Sequence, residues 1–138
     1  MSMDGLEDTA EKRAKPALSY PLGEPPDAGV AREIAPGVHW VRMPLPFVLQ
    51  AINLWLIEDG DGWTVVDTGV ALEQSREYWR KIFDQTLNGK PVTRVICTHM
   101  HPDHMGLAGW ICRKFGAQLW MSRLEYITGR MLVADTGR

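Results

Sequence analysis

From Ile34 onward, short runs of apolar and β-branched residues alternate with longer stretches whose apolar positions recur every three or four residues. The two periods predict strands and helices in turn. Val38, Trp40 and Arg42 alternate with His39 and Val41, a strand that ends at Pro44-Leu45-Pro46 because proline cannot donate to a ladder. Phe47 to Glu58 reads as a second strand. Asp59-Gly60-Asp61-Gly62 is then a hairpin turn, and the chain returns through Trp63-Thr64-Val65-Val66. Between Ala71 and Leu87, residues Tyr78, Trp79, Ile82, Phe83 and Leu87 fall at helical spacing, with Arg76, Glu77, Arg80, Lys81 and Asp84 around the rest of the cylinder. This predicts a helix packed on a sheet, its aromatic residues serving the core. Asn88-Gly89-Lys90-Pro91 stops it.

Val92 to Thr98 follows as a buried strand, rich in β-formers. Met105 to Phe115 reads as a helix that opens with a turn at Gly106 and closes at Gly116; Gln118 to Met121 is a short strand, and Arg123 to Met131 begins a further helix. Strand, helix, strand, helix predicts an α/β layered structure. Sites in such structures gather at the carboxyl ends of the strands.

Residues 1–33 lack this patterning. Charged residues and alanine come first, then Tyr20-Pro21-Leu22-Gly23-Glu24-Pro25-Pro26-Asp27, where the prolines exclude a sheet. The expected organisation is a flexible N-terminal segment over 1–33, its end an extended strap, followed by a domain over 34–138.

Composition narrows the classes. A chain of 138 residues with 45% apolar positions is of ordinary one-domain size and is not a disordered tail. A net charge of -2, from 15 basic and 17 acidic residues, gives no electrostatic reason to expect nucleic acid or an anionic membrane as partner. No stretch approaches the roughly eighteen consecutive apolar residues of a membrane span, and Met1 to Lys15 carries charges in place of an apolar signal core. A soluble, cytoplasmic protein is expected. Cys97 and Cys112 lack the spacing of a redox or zinc motif and read as core thiols.

The chemistry concentrates in Thr98-His99-Met100-His101-Pro102-Asp103-His104, which holds three of the four histidines of the chain. On a helix, turning about 100° per residue, His99 and His101 would point apart. On an extended segment they point the same way. A strand, a loop bearing His99, His101, Asp103 and His104, and a helix therefore bring together imidazoles and carboxylate, the donor set that suits zinc, iron or manganese. Asp67, at the end of its own strand and two residues before Gly69, is the second candidate element: a turn residue, or a carboxylate that orients a metal loop.

His99-Met100-His101-Pro102-Asp103-His104 resembles the HxHxDH signature of the metallo-β-lactamase fold superfamily. Val65-Val66-Asp67-Thr68-Gly69 stands where that family has a strand ending in Asp-x-Gly, and Gly37 to Arg42 and Asn53 to Ile57 resemble its first strands. The resemblance runs from Ile34 to the end of the chain. It implies the N-terminal half of an αββα sandwich, a mixed sheet with flanking helices. It implies that His99 and His101 serve one metal site, that Asp103 and His104 serve a second, and that Asp67 hydrogen-bonds to the metal loop from outside the ligand set. It gives no role to His39, whose strand carries no ligand in the family.

The second half that such a domain needs, with a further histidine for the first metal, a shared aspartate and a last histidine, has no counterpart: no histidine follows His104, and Asp135 comes too soon after the signature. The sequence is therefore expected to be a portion of a longer enzyme; the less favoured alternative is an assembly in which a second chain completes the site. What the resemblance implies is a metallohydrolase near the glyoxalase-II-like branch, binding one or two Zn2+ ions, with iron or manganese as alternatives. Its small-molecule substrate would be a thioester, a lactone or a related ester, with Asp103 orienting the attacking water. Two alternatives are an iron-dependent redox enzyme on the same scaffold, of persulfide dioxygenase or flavodiiron type, and a non-catalytic module.

Overall fold

In a computed structural model of the chain, which describes residues 18–135, the strands β1 (Ala31–Ala35), β2 (Val38–Pro44), β3 (Ala51–Asp59) and β4 (Gly62–Val66) come first. Helix α1 (Glu73–Thr86), strand β5 (Val92–Ile96), helices α2 (Pro102–Met105) and α3 (Ala108–Phe115), strand β6 (Gln118–Trp120) and helix α4 (Arg123–Ala134) follow. The strands form one sheet in sequence order. β1 to β4 are joined antiparallel, and β4, β5 and β6 lie parallel with helical crossovers between them. The expected mixed α/β sheet with helices is thus observed. No helix among the described residues is long and apolar enough to cross a membrane.

Pairing assigns the faces. Val41 opposes Leu54 and Met43 opposes Ile52, while Leu56 pairs with Val65 and Val65 with Val95. These share one buried cluster with Trp79, Ile82 and Phe83 of α1 and Ile111 of α3. The phase of β2 is therefore set by Val41 and Met43, and Trp40 turns to the opposite face, where its indole N–H donates to Asn53 Oδ1 at 2.8 Å. An indole needs such a partner, and this one is met at an exposed position. On that same face Trp55, Ile57 and Ile96 are half-buried and Trp120 is 50% exposed.

Three boundaries differ from those read in the sequence. β1 begins at Ala31, and Pro26 and Gly29 are buried, so the domain starts before Ile34; residues 1–17 of the expected flexible segment lie outside the described residues. β3 begins at Ala51, because 46–49 form a bend that Leu45 N–H closes onto Gln50 O at 2.8 Å. The predicted helix over 105–115 is two helices, with α2 starting earlier at Pro102, whose fixed φ and missing N–H suit a first helical position.

Thr68 causes the break. Its backbone N–H and its hydroxyl both donate to His104 O at 2.8 Å, and its hydroxyl accepts the N–H of Leu107 at 3.0 Å. The carbonyl that would continue the helix is taken by a residue 36 positions upstream. Trp79 of α1 completes the junction by donating to Thr68 O at 2.7 Å. Thr68 is fully buried, so Thr68→Val, which keeps the shape and removes the hydroxyl, strands the Leu107 N–H away from water. A loss of roughly 1–3 kcal/mol is expected, read as a lower midpoint in urea denaturation; an unchanged midpoint contradicts this role.

Candidate metal centre

Strands β4 and β5 run parallel and end side by side, Val66 opposite Ile96, so the residues that leave them meet at one edge. Asp67 leaves β4 with φ of 57°, a left-handed conformation that aspartate tolerates better than most side chains. Its N–H still bonds to Ile96 O at 2.8 Å. The turn aims the carboxylate at the loop after β5. There Asp67 Oδ1 accepts the N–H of Thr98 and Oδ2 accepts its hydroxyl, each at 2.8 Å, while Nδ1 of His104 lies 2.9 Å from Oδ2. The carboxyl side chain is 8% exposed. Gly106 closes the junction: a Cβ there would lie 2.8 Å from both Gly69 O and the Ala71 N, so only glycine lets the two loops touch through their backbones.

The hydrogen bonds assign the imidazole protons. A buried carboxylate between donors accepts, so a neutral His104 ring carries its proton on Nδ1 and leaves Nε2 bare. The Thr98 hydroxyl gives its proton to Asp67, so at 2.9 Å from His99 Nδ1 it can only accept. His99 is thereby also protonated on Nδ1, with Nε2 bare. One carboxylate sets both tautomers, the first directly and the second through a threonine.

The bare nitrogens face other donors. His99 Nε2 stands 3.0 Å from His101 Nδ1, and His104 Nε2 stands 3.3 Å from Asp103 Oδ2. The His99 ring lies 4.6 Å from that of His101 and 4.0 Å from that of His104, centre to centre. All four sequence-predicted donors are thus in one cluster, Asp103 and His104 being 20% and 22% exposed. They stand as two pairs; among the described residues no three donors are arranged around one point. Two nitrogens bound tetrahedrally to zinc at about 2.0–2.1 Å would be about 3.4 Å apart, so the His99–His101 pair fits an ion with a small adjustment. The donor types fit as well.

Three residues at this centre were not singled out from the sequence. Thr98 and Thr68 lie inside the two motifs, and small hydroxyls beside a ligand were the available signal. Glu125 of α4 accepts the N–H of Met100 at 2.8 Å; its signal was the Ser122-x-x-Glu125 pattern at a helix start. His39 packs edge-on against Trp63, ring centres 5.2 Å apart, instead of joining the cluster. Cys97 is buried and Cys112 half-buried, both as free thiols. Burial and then the neighbouring Asp67 charge push the Cys97 thiol up from 9.0 to about 12.

Comparison with known proteins supplies the context. A family model described as the metallo-beta-lactamase superfamily matches residues 48–138. A beta-lactamase domain protein from Burkholderia ambifaria has a crystal structure that superposes with a TM-score of 0.79 at 49% identity, over 83% of this chain and 37% of that one. A metallo-beta-lactamase family protein from Thermus thermophilus gives a TM-score of 0.60 at 27% identity, over 68% of this chain and 31% of its own. A linear primary-alkylsulfatase from Pseudomonas sp. is 42% identical over 53 residues, which is 36% of this chain and 9% of that enzyme. The chain thus spans well under half the length of each of these relatives.

Two measurements test the centre. Asp67→Ala removes the acceptor that sets both tautomers, and zinc affinity should fall about 10- to 100-fold; unchanged affinity would leave Asp67 as a turn residue. At about pH 8 the Cys97 thiol is neutral, so iodoacetamide should label it only after denaturation. Rapid labelling at Cys97 itself in the native protein, as distinct from the half-buried Cys112, contradicts the buried thiol.

Proposed function

The chain belongs to the metallo-beta-lactamase superfamily, and from that premise we propose that it carries the first half of the metal cage of a hydrolase acting on a small-molecule ester. The observation that carries this reading is the pairing of His99 Nε2 with His101 Nδ1 at 3.0 Å beside His104 Nε2 and Asp103 Oδ2 at 3.3 Å. His99 and His101 would hold one ion, and Asp103 and His104 a second. A divalent ion there, zinc by preference and iron or manganese as alternatives, would supply Lewis acidity and lower the pKa of a water towards about 7.

The residues of this chain supply the rest. The Nδ1–H bond of His104 to Asp67 holds its ring so that Nε2 points at the centre, and the Thr98 hydroxyl does the same for His99. Asp103 has a second role in this reading: its carboxylate accepts a hydrogen bond from the attacking water and so keeps a lone pair of that water turned to the substrate. A catalytic zinc takes three protein ligands and a water, so donors beyond the two pairs complete the cage. We assign those to a further portion of a longer enzyme or to a second subunit.

The bond cleaved is a thioester, a lactone or a related ester; the alkylsulfatase relative adds a sulfate ester to that set. The free thiols accord with a reducing, cytoplasmic setting. Hydrolysis of a panel of thioesters, lactones and alkyl sulfates by the protein with its cage complete, zinc being restored after chelation, tests the reading; this chain alone is expected to be inactive. His101→Ala and Asp103→Ala should abolish turnover by orders of magnitude with the circular dichroism spectrum unchanged. Wild-type rates in either variant, or oxygen consumption by an iron-loaded protein in place of hydrolysis, would overturn it.

A further inference from the structure

Helix α4 opens with a cap in which the hydroxyl of Ser122 accepts the N–H of Glu125 at 3.2 Å. In the Ser-x-x-Glu pattern the glutamate ordinarily turns back to the N–H of the capping residue. Here it reaches elsewhere. Oε2 of Glu125 accepts the N–H of Met100, 25 residues earlier in the chain and between His99 and His101. One turn further along α4, Gly129 is buried, and a Cβ there would stand 3.2 Å from Met100 Cβ and 3.0 Å from Met105 Sδ. The helix therefore meets the loop twice, through a carboxylate and through bare backbone.

We propose that Glu125 is a positioning residue of the metal centre, fixing the peptide between the two histidines so that His99 Nε2 and His101 Nδ1 stay face to face. The inference rests on the metal reading above. Residues 97–101 belong to neither strand nor helix, so no regular ladder fixes this peptide. Thr98 is tied to Asp67 before it, and His101 O accepts from His104 N–H and Met105 N–H after it, at 2.9 Å each. Met100 is the point between. A bond from a carboxylate to a backbone N–H is stronger than one between neutral groups, and without it the peptide plane can turn, carrying both imidazoles with it. Only the backbone of Met100 is used, so the identity of that side chain matters less than the carboxylate reaching it.

Zinc affinity by competition titration, the visible spectrum of the cobalt(II)-loaded protein and hydrogen exchange at the Met100 amide test the proposal together. Glu125→Ala should weaken zinc about 10- to 100-fold, the range of outer-shell changes, and should alter the cobalt spectrum. Glu125→Gln, whose side-chain carbonyl can accept the same N–H, should restore both. Ser122→Ala loosens the same helix end without touching Met100; it should lower the melting temperature and leave affinity and spectrum alone. The wild-type Met100 amide should exchange slowly even without metal, a readout that holds if the alanine variant fails to fold. Unchanged affinity in Glu125→Ala, equal weakening by Ser122→Ala, or fast exchange at Met100 each overturns the role of Glu125. In the protein with its cage complete, a wild type that takes up neither ion, with Met100 protected, overturns instead the metal reading beneath it.

Discussion

The carboxylate of Asp67 is the constraint from which the centre follows. It is nearly buried, at 8% exposure, and a buried carboxylate is costly unless donors surround it. Thr98 offers its N–H and its hydroxyl, and His104 offers Nδ1–H. Satisfying that one group ties the end of β4 to the loop after β5 and to the start of α2. In the neutral rings it also leaves Nε2 of two histidines without a proton, which is the state a metal ligand needs. A left-handed residue at position 67 is compatible with glycine or asparagine, but glycine has no acceptor and asparagine presents one oxygen where this loop uses two.

Thr68 extends the same logic into the scaffold. By capturing His104 O it halts α2 and restarts the helix as α3, and Trp79 binds its carbonyl in turn. The core that packs α1 and α3 onto the sheet is thereby joined to the loop by hydrogen bonds between buried groups. Such bonds stabilise the fold modestly but are expensive to leave unmade. Rigidity at the histidines is thus a property of the packed sheet and not of the loop alone.

Much of this was legible from local pattern. The period of two in β3 and β4, the helical spacing of Trp79, Ile82 and Phe83, and the strand before Thr98 all depend on near neighbours, and each of these elements formed, with β3 shortened to start at Ala51. Long-range partners decided the rest. Gly106 marked a turn, but nothing between Met105 and Phe115 reveals that the break there is made by Thr68. β1 has little apolar content, Ala31 and Ile34 among charged residues, and it is a strand because β2 offers it an edge. Trp40 turns from the core because Val41 and Met43 set the phase of β2, and its indole finds Asn53 on the neighbouring strand. At the centre, the cluster of four candidate donors was legible in the sequence, whereas the tautomers of His99 and His104 and the reach of Glu125 to Met100 depend on contacts between distant segments.

The account stands on the proton positions that Asp67 imposes. A long-range 1H–15N correlation spectrum of the metal-free protein at about pH 8, with His99 and His104 assigned by substitution, reads those positions directly. Both rings should show the pattern of the Nδ1–H tautomer, with Nε2 in its unprotonated shift range. Nε2–H at His99 and His104 would contradict the account, since the carboxylate would then not be directing either ring toward a metal.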